Sequence, residues 1–120
     1  MKRDMDLIRR ILIEIEEAEN DPDEWIDLSF DEWPDHAVSY HIKMLHDAGL
    51  IEAQDLSDLS GSDWRPISLT WSGHEFLDAA RNDTVWNKAM TKLKGQAATV
   101  PFEIVKAVVI QTCKEMFGVG

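Results

Sequence analysis

Val38-Ser39-Tyr40-His41-Ile42-Lys43-Met44-Leu45-His46-Asp47-Ala48-Gly49-Leu50-Ile51 reads as a helix that ends on a glycine and turns straight into a strand. Val38, Ile42, Leu45 and Gly49 follow one another at helical spacing and mark the face that turns inward. Asp35 is placed to cap the start of this helix. At about 100° per residue, His36, Tyr40, Lys43 and Asp47 fall in a narrow arc on the opposite side, with Ser39 on its flank. Those are the side chains the helix is expected to show to the outside. Gly49 suits a left-handed cap, and Leu50-Ile51-Glu52-Ala53 continues as a strand. The Ser-, Asp- and Gly-rich segment from Asp55 to Asp63 reads as a loop. A second strand follows in Trp64-Arg65-Pro66-Ile67-Ser68-Leu69-Thr70-Trp71, where Ile67, Leu69 and Trp71 alternate with polar neighbours. Pro66 confines that strand to a sheet edge or a bulge. A helix followed directly by two strands and a polar loop is the wing of a winged helix-turn-helix.

Upstream, Leu7, Ile8, Ile11, Leu12 and Ile15 form the stripe of an amphipathic helix running from Asp4 to Ala18. Its charges oppose its dipole, with Lys2, Arg3, Arg9 and Arg10 towards the positive end and Glu14, Glu16, Glu17 and Glu19 towards the negative end. Pairs such as Arg10 with Glu14 are expected to relieve this in part. Asn20-Asp21-Pro22-Asp23 reads as a turn, Trp25 to Phe30 as a short strand, and Glu32-Trp33-Pro34-Asp35 as an interruption. Downstream, Ser72-Gly73-His74-Glu75 has the capping-box pattern and starts a helix to about Arg81. Asn82-Asp83-Thr84 breaks it before Val85 to Lys94, and Gly95 stops the chain of helices. A last helix from Pro101 to Phe117 is apolar almost all round.

The expected fold class is therefore α+β and mostly helical, a winged helix-turn-helix with a two- to three-stranded antiparallel wing and extra C-terminal helices. Residues 1–95 form the winged-helix domain, and residues 96–120 an apolar helix that packs on that domain or at a dimer interface. The apolar excess from Pro101 to Phe117 points to a homodimer.

A length of 120 residues fits one domain, and 44% apolar residues with five Trp favour a folded globule. Trp33, next to Pro34, and Trp64, two residues before Pro66, are the two expected to be exposed. The net charge of −11 is unevenly spread: residues 1–63 hold 5 Lys/Arg and 18 Asp/Glu, residues 64–120 hold 7 and 5. A field of that sign repels phosphate backbones. One Cys and no charged-then-apolar leader make a reducing cytoplasm the expected compartment. The most apolar stretch, Val100 to Val119, is broken by Glu103, Lys106, Lys114 and Glu115, so no membrane span is expected.

No catalytic residue, metal site or cofactor is expected. His36, His41 and His46 are five residues apart on one helix and diverge, and they read as surface or half-buried imidazoles. Cys113 has no His close in sequence and reads as a buried thiol. The chain contains no phosphate loop, nucleophile elbow or H-E-x-x-H motif.

The run from Val38 to Ile51 resembles the recognition helix of winged-helix regulators of the arsenic-repressor and multiple-antibiotic-resistance-repressor kinds. Leu69-Thr70-Trp71-Ser72-Gly73-His74-Glu75-Phe76-Leu77 resembles the way such domains leave the wing. The whole order resembles the YjcQ-like proteins, an uncharacterised and often prophage-encoded family. The shared features are Met1 to Ile8, Ser39 to Lys43, Trp64-Arg65-Pro66, Leu69-Thr70-Trp71, Asn82 to Trp86 and Val100 to Glu103. That resemblance implies a fold and carries no activity.

Two functional readings follow. In the first, the chain is a DNA-binding transcription regulator of prophage type: Ser39, Tyr40 and Lys43 enter the major groove and Arg65 touches a phosphate. In the second, it is an acidic module that binds a basic protein partner. His36, Ser39, Tyr40, Lys43, Asp47 and Arg65 are the contact residues in either case. Against DNA stand the short, Pro34-containing segment from Asp31 to Asp35, where a supporting helix would lie, and the wing carboxylates Asp55, Asp58 and Asp63.

Overall fold

Asp4 opens the first helix, α1 (Met5–Glu17), its carboxylate accepting from the backbone N–H groups of Asp6 and Leu7 at 3.0 and 3.1 Å. The structure is a computed structural model that describes residues 1–18 and 24–118. The turn expected at Asn20-Asp21-Pro22-Asp23 lies outside the described residues. The stripe from Leu7 to Ile15 is buried, as its spacing requires.

Between α1 and α2 (Asp35–Asp47) the described residues contain no helix. Trp25 to Phe30 is not a strand of the sheet, contrary to its alternation. One backbone bond ties it there, Ile26 N–H to the Pro66 carbonyl at 2.7 Å. An antiparallel pair would return a bond from the N–H of residue 66, and proline has none. A tight turn then joins Phe30 to Trp33. Pro34, not Asp35, occupies the cap position of α2; Asp35 is its first helical residue. Gly49 ends this stretch with φ +79°, a conformation that favours glycine.

The sheet has two antiparallel strands, β1 (Ile51–Asp55) and β2 (Trp64–Leu69). Glu52 faces Ser68 and Ala53 faces Pro66, so Ile67 is the extra residue of a bulge beside the proline. The next helix, α3 (Trp71–Ala80), starts earlier than the capping-box pattern indicates. Its cap is Thr70 rather than Ser72, and Trp71 is helical instead of closing the strand. The Thr70 hydroxyl serves two ends at once: Oγ1 accepts from Gly73 N–H at 3.1 Å and donates to the Gly49 carbonyl at 2.6 Å. Gly73 lies so close to β1 that a Cβ there would stand 2.0 Å from the Leu50 carbonyl oxygen. Only glycine permits that approach.

Asn82 caps α4 (Asp83–Lys92). The last helix, α5 (Phe102–Met116), is preceded by Pro101 at the cap position and packs on α3 and α4. One continuous core joins Leu7, Ile11, Leu45, Leu50, Phe76, Val85, Trp86, Val105 and Val109. The architecture is α+β and mostly helical. Of the α5 side chains, Val105, Val109 and Thr112 are buried, whereas Ile104 and Met116 are exposed, as is Phe117 just beyond. Among the described residues no helix is long and apolar enough to cross a membrane.

The tryptophans depart from expectation. Trp33 and Trp64 are half-buried, and the exposed ones are Trp25 and Trp71, at 40% and 78%. Trp33 is drawn in because its indole N–H donates to Asp4 Oδ2 at 3.0 Å. Trp64 is drawn in against the His46 ring, 5.3 Å away between centroids.

Candidate interaction face

Helix α2 presents His36, Lys43 and Asp47 to the outside, with Tyr40 half-buried among them. Ser39 does not belong with them. It is 6% exposed, and its Oγ accepts from Trp64 N–H at 2.9 Å while sharing a hydrogen bond with the Ser62 hydroxyl at 3.2 Å. It pins the hairpin to α2 from the lining of the cleft between them. The arc drawn from helical spacing put Ser39 at its margin, and the hairpin covers that margin.

Both cations of the expected contact set are already engaged. Lys43 Nζ donates to Asp47 Oδ2 at 3.0 Å. That bond, chiefly, holds the Asp47 carboxyl below its ordinary range, with the Lys43 charge and His46 adding to it against desolvation. Arg65 grips Asp63 with two parallel bonds of 3.1 and 3.2 Å and lies 4.2 Å over the Trp25 ring. Its hydrogen bond to Asp63 raises the guanidinium above its ordinary value, so it stays charged and held. The Arg65–Trp25 stack was not foreseen, because only the Ile26–Pro66 contact brings the two residues together.

A cleft of about 630 Å³ opens between the start of α2, residues 26–29 and the hairpin. Four carboxylates line it, those of Asp27, Asp35, Asp58 and Asp63, with His36 and Arg65 beside them. Among the described residues Asp27, Asp35 and Asp58 form no ion pair within 4.0 Å. Asp55 and Asp58 are held in local turns by accepting from Ser57 and Ser60 N–H at 2.9 and 2.8 Å. Hydrogen bonds from those serines lower both carboxyls from their ordinary value, so the wing keeps its negative charge. From the sequence Asp35 reads only as a helix cap, and Asp27 carries no local signal of a site. They join the hairpin carboxylates only when residues 26–29 lie along β2.

The three α2 imidazoles go to different surroundings. His36 is exposed, His46 is half-buried against Trp64, and His41 is buried within the core, unlike the surface or half-buried role read from spacing. Among the described residues no group of three or more His, Cys, Asp or Glu is placed to hold a metal ion. Cys113 is half-buried beside α3 and not fully enclosed. What the face offers chemically is fixed negative charge around a concave, partly aromatic surface.

Residues 2–99 match the family described as "Hypothetical protein (DUF2513)". The chain belongs to this family. Helix α5 lies beyond the matched residues. The chain is also similar to an uncharacterized protein of Haemophilus influenzae, 40% identical over 118 residues, which cover 98% of this chain and 100% of the relative. No solved structure matches. The DUF2513 name says nothing of what its members bind.

Proposed function

We propose that this chain is a non-enzymatic module of winged-helix kind whose α2–hairpin face binds a basic protein surface. The observation that carries the reading is the internal neutralisation of Lys43 and Arg65 beside the unpaired Asp27, Asp35 and Asp58. A DNA-reading face needs free cations, since counterion release from phosphates supplies most non-specific affinity. Here each cation would have to leave a carboxylate first. A basic protein meets no such cost and is steered in by the field.

The winged-helix reading rests on the order α2, β1, polar loop, β2, α3 and on residues 26–29 lying along β2 through Ile26. The likeness to YjcQ-like sequences points the same way. The Phe30–Trp33 turn stands where a supporting helix would be, so the helix-turn-helix is reduced. The DNA reading keeps one argument, the outward position of His36, Tyr40 and Lys43 on α2.

A photo-crosslinking residue in place of Tyr40, activated in cells, separates the readings. The expected product is a crosslink to one protein with a basic contact surface. Crosslinks to nucleic acid, or one duplex sequence enriched from a random pool at about 50–100 mM salt, would overturn the protein reading.

A further inference from the structure

Helix α5 carries a second surface, separate from the acidic face. Between α3 and the C-terminal half of α5 runs a groove of about 300 Å³. Its apolar lining is Ala79, Ile110, Cys113 and Phe117; its polar edges are Glu75 and Asp78 from α3 and Lys114 from α5. Phe117 is 67% exposed, a large aromatic left in solvent at the mouth of the groove. Trp71, 78% exposed, precedes Glu75 and Asp78 by four and seven residues and so shares their side of α3.

Two features of charge identify the occupant. Among the described residues Glu75 and Lys114 form no ion pair, and Asp78 pairs only with Arg81 of its own chain neighbourhood, at 3.2 Å. The groove therefore has one acidic lip and one basic lip, and a two-fold rotation places each sign opposite the other. The second feature is the uneven charge of the chain. Two molecules of net charge −11 repel, but residues 64–120 hold 7 Lys/Arg against 5 Asp/Glu, and this segment supplies the whole groove. It is the half by which two copies can approach without like-charge repulsion.

We propose that the groove is filled by a second copy of the chain about a two-fold axis. Phe117 of each copy lies in the groove of the other, and Lys114 of each faces Glu75 and Asp78 of the other. This burial covers Ile110, Cys113 and Phe117 on the groove side of α5.

Light scattering on the full chain at tens of micromolar (order of magnitude, a concentration at which a micromolar dimer is well populated) reads the mass directly. The expected value is twice 13.7 kDa. Phe117→Asp gives a monomer with an unchanged circular dichroism spectrum, since the side chain is exposed. Glu75→Lys and Lys114→Glu each weaken the dimer by about tenfold, and the two together restore it. A wild-type mass of 13.7 kDa at every concentration would overturn the proposal. So would a dimeric Phe117→Asp variant, or charge reversals whose effects add instead of cancelling.

Discussion

His41 ties the start of α1 to α2 through one ring. Its Nε2 accepts from Asp4 N–H at 2.8 Å, its Nδ1 lies 2.7 Å from the Ala37 carbonyl, and the residue is 2% exposed. A backbone N–H only donates and a carbonyl only accepts, so the ring carries a single proton, on Nδ1. Asp4 in turn caps α1 and accepts from the Trp33 indole, which fixes the Phe30–Trp33 turn over the same point. Replacing His41 by Phe keeps a ring in the core but leaves Asp4 N–H facing carbon. The expected loss is about 2–3 kcal/mol, seen as a lower midpoint of urea unfolding at unchanged slope. An unchanged midpoint would show that Asp4 N–H finds water instead. Spacing sends His36 outward and the three rings apart, but the partner that holds His41 in the core is Asp4, more than thirty residues upstream.

At the level of elements, the reversed charge order of α1 is explained by what its ends touch. The Arg9 guanidinium donates to the Ala80 and Arg81 carbonyls at 2.7 and 2.8 Å, closing the end of α3, and to Asp83 at 2.6 Å in the first turn of α4. It also sits 5.4 Å from the Trp86 ring centroid. Towards the other end of α1, Glu16 accepts from Arg81, which follows α3. The Arg81 hydrogen bond holds the Glu16 carboxyl below its ordinary 4.5, helped by the Arg81 charge and opposed by desolvation. A carboxyl depressed on folding contributes stability that is fully present above the unfolded value and is lost as pH falls through the folded one. Arg81→Met is therefore expected to cost about 0.5–1 kcal/mol at neutral pH, modest because both groups are partly solvated. The difference from wild type should start to shrink near the unfolded carboxyl value, about 4.3, and close only once pH falls below the lowered folded value. A deficit that stays constant as pH falls through the whole acid range would assign the effect to packing of the Arg81 stem. The elements themselves were legible because helical stripes, Gly49 and Gly95 are local signals. The Thr70 cap, the burial of Ser39 and the Arg65–Trp25 stack were not, since each depends on a neighbour distant in sequence. For the candidate site this buried Ser39 against the hairpin and tied up Arg65, while His36, Tyr40, Lys43 and Asp47 kept their shared side of α2.

For the whole molecule, the dominant fact is that the negative charge is concentrated in the half that supplies α1, α2 and β1, whereas α3, α4 and α5 come from the near-neutral half. An approaching macromolecule senses that field before it senses any pocket, over a distance of about 10 Å at 0.1 M salt. Lys43 is the one cation between Pro34 and Ile51, and changing it tests which partner the field serves. Lys43→Glu takes the net charge from −11 to −13 and removes the hydrogen bond that chiefly lowers the Asp47 carboxyl. The residue is exposed, so the new like-charge pair at i, i+4 should leave the fold intact. With an oligolysine peptide as the basic probe, association should quicken by about two- to threefold at low ionic strength. The gain should fade by about 0.5 M salt, where screening shortens the range to roughly 4 Å. With duplex DNA the sign reverses, because the substitution deletes a phosphate contact and adds a repulsion. Stopped-flow association of both probes with both proteins measures the sign directly. A Lys43→Glu variant that binds oligolysine more slowly than wild type would mean that the α2 face does not govern the encounter.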